Sequence, residues 1–72
     1  MDLNMIFIPA EEGGYTAYVE EIPGAITQGE TMDETRDNLR DALRMVLEAN
    51  RELARENEPV DSVRESLAFD TL

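Results

Sequence analysis

The sequence predicts an α+β domain: a three-stranded antiparallel meander, one long helix and a returning fourth strand, in the order β-β-β-α-β. Three observations carry this expectation. Short β-rich runs are separated by Glu11-Glu12-Gly13-Gly14 and by Pro23-Gly24, both tight-turn signals. The apolar period then changes from two to 3.6 residues after Thr31. Finally, 72 residues without cysteine suit one small domain, 1–72, whose core cannot be stapled by disulfides.

Taken in order, Leu3 to Ala10 reads as the first strand, with Leu3, Met5 and Phe7 on one face and Ile6 and Ile8 on the other. A strand with one wet face should alternate with polar residues, so both faces of this one are expected to be covered. Tyr15 to Glu20 is the second strand, and Ala25 to Glu30 the third, closed by Gly29. Proline presets φ and glycine accepts the left-handed position in the turn between them.

The helix has the clearest signals. Thr31 is placed to cap it, with Glu34 three residues on to return the bond as a capping box. Asp33 and Glu34 favour the positive end of the helix dipole. Met32, Leu39, Ala42, Leu43, Val46, Leu47, Leu53 and Ala54 form an apolar stripe, with Asn50 near its centre, where a hydrogen-bonded core position is expected. Pairs such as Asp41/Arg44 and Arg44/Glu48 occupy the opposite face, and Asn57 with Pro59 ends the helix. About 25 helical residues span roughly 37 Å, against about 20 Å for a six-residue strand, so the helix should outrun its sheet. Ser66 to Asp70 reads as the fourth strand, entering parallel to the first in a right-handed crossover. The expected sheet order is 3-2-1-4.

Charge narrows the function. The net charge is −11, lysine and histidine are absent, and every arginine lies at or beyond Arg36. An acidic surface without a basic stripe argues against direct nucleic-acid binding and suits steering of a basic protein, although solubility alone also explains it. The N-terminal apolar run is short, acidic where a signal peptide is basic, and interrupted by Pro9. No segment approaches the roughly 18 apolar residues of a membrane span, so a cytoplasmic location without membrane partners is expected. A small unstapled core also favours self-association, as a dimer or tetramer.

Tyr18, Pro23-Gly24, Thr27-x-Gly29 and Thr31, followed by Asn38-Leu39-Arg40-Asp41-Ala42, resemble the HicB-like antitoxin family. The likeness covers about residues 3–58 and departs at Ala25, where the family often has cysteine. It implies the β-β-β-α-β partial RNase H fold, with Pro23, Gly24, Thr27, Gly29 and Thr31 as structural signature positions. It also implies a protein that masks the RNA-binding and catalytic surface of a basic, mRNA-cleaving, HicA-like toxin. The larger members' C-terminal DNA-binding domain is not expected here. Partner-binding candidates are Ile6, Ile8, Tyr15 and Tyr18 as apolar anchors and Glu11, Glu12, Glu20 and Glu21 as acidic contacts. Core or dimer packing remains open for the anchors, and solvated turn positions for the acids. A self-assembling domain without a toxin is the alternative reading.

Enzymatic chemistry has little support. Glu11/Glu12 and Glu20/Glu21 lie near opposite ends of the second strand, and positions 3–8 lack a carboxylate, which disfavours a two-metal nuclease centre. Ser62 and Ser66 have no histidine to activate them. Gly13-Gly14 is followed by no lysine and reads as a turn rather than a phosphate loop. No catalytic residue, metal or cofactor is expected.

Overall fold

The computed structural model describes residues 2–68. Strands β1 (Met5–Pro9), β2 (Tyr15–Val19) and β3 (Ile26–Gly29) form an antiparallel sheet in the order β1-β2-β3, and α1 (Met32–Glu56) follows. In the first hairpin, the Ala10 amide donates to the Gly14 carbonyl at 3.0 Å. Gly13 and Gly14 take φ of 99° and 80°, which glycine adopts without a Cβ clash.

The register fixes which side chains share a face. Phe7 stands opposite Ala17 and Ala17 opposite Thr27, while Ile6 stands opposite Tyr18 and Tyr18 opposite Ile26. The first row faces α1. Ala17, Val19, Ala25 and Leu39 form the buried core, bordered by Leu3, Phe7, Ile22, Leu43 and Val46. The helix packs on β3 and β2, and the Arg36 guanidinium lies 5.7 Å from the Phe7 ring centre.

Local chemistry seats the start of the helix. The Thr31 hydroxyl accepts from the Glu34 amide at 3.1 Å, as its capping position predicts. The Glu34 carboxylate accepts from the Glu30 amide instead of returning to Thr31, so the box closes one residue early. Thr35 is wholly buried, and its hydroxyl donates to the Thr31 carbonyl at 2.6 Å. A Cβ on Gly29 would stand 2.9 Å from the Thr35 amide nitrogen, which explains why this position is glycine.

From that contact the helix runs antiparallel to β3. Asn38 donates to the Gln28 carbonyl at 3.1 Å, and Val46 approaches Gly24. Every residue from Leu47 to Ala68 is exposed. Ten helical residues, about 15 Å at the α-helical rise, therefore project past the sheet, as the length comparison predicts. Asn50 lies on this projection and is exposed, not the core position its place in the stripe implied.

The fourth strand and the order 3-2-1-4 are not seen. Among the described residues the sheet has three strands, and residues 62–68 adopt no regular structure; positions 69–72, including part of the expected strand, lie outside the described residues. The projection accounts for the difference. It releases the tail well beyond the sheet, so pairing with β1 would order a long return segment at roughly 1–2 kcal/mol per residue of backbone entropy.

Gly29→Ala is expected to destabilise the domain by about 1–3 kcal/mol, because the added methyl collides with backbone atoms of the first helical turn. Urea unfolding measures this, and an unchanged midpoint would contradict the close approach.

Candidate functional site

Among the described residues, one helix covers one face of the sheet and leaves the other bare. The uncovered face carries Ile6, Tyr18 and Ile26 in one row and Ile8, Thr16 and Gln28 in the next. Successive residues of a strand point to opposite faces, so these six share a side, and none is charged. Ile26 is 59% exposed, Ile8 50% and Tyr18 37%. A shallow open depression of about 360 Å³ lies against Thr16, Ile26 and Gln28. The apolar alternation of β1 on both sides therefore reflects one covered face and one that stays open in the single chain.

The structure brings together three of the four anchors that the sequence suggested. Ile6, Ile8 and Tyr18 lie on the open face. Tyr15 falls in phase with buried Ala17 and Val19, on the helix side, beside an open depression of about 620 Å³ at the hairpin end that Gly14, Gly29 and Glu30 also line. Ile26 completes the open row and was not among the candidates. Its signal was available: Pro23-Gly24 places Ala25 opposite Val19, which forces Ile26 to the other side.

The acidic candidates bracket the sheet. Glu11 and Glu12 are exposed in the β1–β2 turn, and Glu20 and Glu21 lie at the far end of β2. Glu21 also has a structural role. Its carboxylate accepts from the Asn4 amide at 2.7 Å and from the Asn4 side chain at 2.5 Å, tying the start of β1 to the turn before β3. The Asn4 backbone and side-chain donors favour the charged form and lower the Glu21 pKa.

Among the described residues, no group of three or more histidine, cysteine, aspartate or glutamate side chains could hold a metal ion. No helix there is long and apolar enough to cross a membrane. The arrangement suits docking: a flat, uncharged, partly apolar surface with negative groups at both ends. Comparison with protein-family models, curated proteins and solved structures finds no significant match.

The lowered Glu21 pKa has a definite sign. Its contribution is complete above the ordinary glutamate pKa and is lost as pH falls through the depressed folded value. Glu21→Gln is expected to be less stable than wild type near neutral pH, with the gap closing in strong acid. Denaturant unfolding at several pH values measures it, and a pH-independent gap would contradict the Asn4 clamp.

Proposed function

We propose that the domain is an antitoxin-type protein-binding module of the HicB-like kind, acting by occlusion rather than catalysis. Its target would be a basic, mRNA-cleaving ribonuclease resembling HicA, in the cytoplasm. The observation that carries this reading is the uncharged face of Ile6, Ile8, Tyr18 and Ile26 between acidic ends. Negative groups at both ends steer a basic partner toward the sheet. Burial of the apolar row supplies affinity without placing unpaired charges in the contact, which would cost several kcal/mol each. A ribonuclease surface that binds RNA phosphates fits such an acidic frame.

Self-assembly without a toxin is the second reading, and the helical projection with its exposed Leu47 and Leu53 favours it. The two readings diverge on whether a basic ribonuclease is bound. Co-expression with a HicA-like ribonuclease is expected to relieve its growth arrest and to yield a co-purifying complex. Ile26→Asp should weaken that complex by about 30-fold or more, the effect of losing a central anchor worth about 2 kcal/mol. Since Ile26 is exposed, the free fold should persist, which circular dichroism checks. No complex with wild type, or full affinity in both Ile26→Asp and Tyr18→Ala, would overturn the proposal.

A further inference from the structure

We infer that the projecting half of α1 is the seat of a second copy of this chain, the two helices packing antiparallel across a two-fold axis at Asn50. The argument begins with size. A compact 72-residue domain has a radius of gyration of about 11 Å, whereas this chain has 15.6 Å and extends 53 Å along its longest axis. Its accessible surface is 5985 Å², while a folded monomer of this mass exposes about 4500 Å². The excess, about 1500 Å², is shared between the helical projection and the exposed tail after it, against roughly 800 Å² that each partner buries in a standard interface.

The stripe that buries Leu39 and borders the core with Leu43 and Val46 continues past the sheet through Leu47, Asn50, Leu53 and Ala54, all exposed. These positions keep the three- and four-residue spacing of a helix–helix seam. Antiparallel pairing centred on Asn50 sets Leu47 against Leu53 of the second copy, and Leu53 against its Leu47. Asn50 then meets its own equivalent, an arrangement in which a polar residue in an apolar seam is hydrogen-bonded and selects one register. Such a contact is self-complementary, as a closed two-fold dimer requires. The free overlap is short, so the end of each helix reaches the rim of the second copy's sheet near Val46 and Gly24, and each tail leaves its helix beside that sheet rather than its own. Exposed Val60, Val63 and Leu67 then have apolar surface within reach.

The inference deepens the self-assembly reading, uses a surface separate from the open sheet face, and holds whether or not a ribonuclease is bound. The chain contains no cysteine, so engineered thiols report proximity cleanly. Wild type is expected to sediment at twice its 8.1 kDa, and Leu53→Glu at the single-chain mass with its helix retained. Asn50→Cys should form an interchain disulfide on mild oxidation far more efficiently than Glu48→Cys, which lies on the opposite side of α1. A single-chain mass for wild type, or equal cross-linking at the two positions, would overturn the pairing. A dimer kept in Leu53→Glu but lost in Ile26→Asp would overturn it too, by assigning assembly to the sheet face.

Discussion

The close approach of α1 to β3 at Gly29 is the constraint on which the rest of the fold depends. Without a side chain at that position, the first helical turn settles directly on the strand, and Thr35 is buried with its hydroxyl satisfied by the Thr31 carbonyl. The helix must then run back over β3 and β2, carrying Leu39 onto Ala17, Val19 and Ala25. A helix is about 10–12 Å across with its side chains and strands lie about 4.8 Å apart, so one helix shelters little more than two strands. β1 is left at the rim, where Phe7 is capped by the flat Arg36 guanidinium rather than by a second hydrophobic layer.

Among the described residues two apolar surfaces remain uncovered, and they arise for different reasons. The sheet face is open because the described residues supply one covering layer for a sheet that has two sides. The helical projection is open because 25 residues of helix follow strands of four and five residues. Their chemistry differs accordingly. The sheet face is flat, uncharged and framed by glutamates, which suits a partner of opposite charge. The projection alternates leucine with an asparagine and is flanked by both signs of charge, which suits a copy of itself. A molecule with both can hold one partner while assembled through the other.

Much of this was legible in the residues. Glycine and proline punctuation marked the strands, whose limits moved by only one or two positions, and Thr31 announced the helix start. Helix length against strand length foretold the overhang. What escaped was tertiary. Alternation shows that Ile6 and Ile8 share a face but not whether anything covers it, since that depends on how many layers the chain builds. The opposite sides of Tyr15 and Tyr18, by contrast, follow from their odd spacing in β2 and were legible. The fourth strand expected over Ser66 to Asp70 depends on where the helix releases the chain, and among the described residues Ser66 to Ala68 lie exposed and outside the sheet.

Amide hydrogen exchange of the domain, free and mixed with a basic ribonuclease of the HicA-like kind, tests the central claim most directly. The account predicts new protection at Ile6 to Ile8, Thr16 to Tyr18 and Ile26 to Gln28, with the exposed outer side of α1 unchanged. Protection confined to the helix, or none on the sheet at saturating partner, would contradict it.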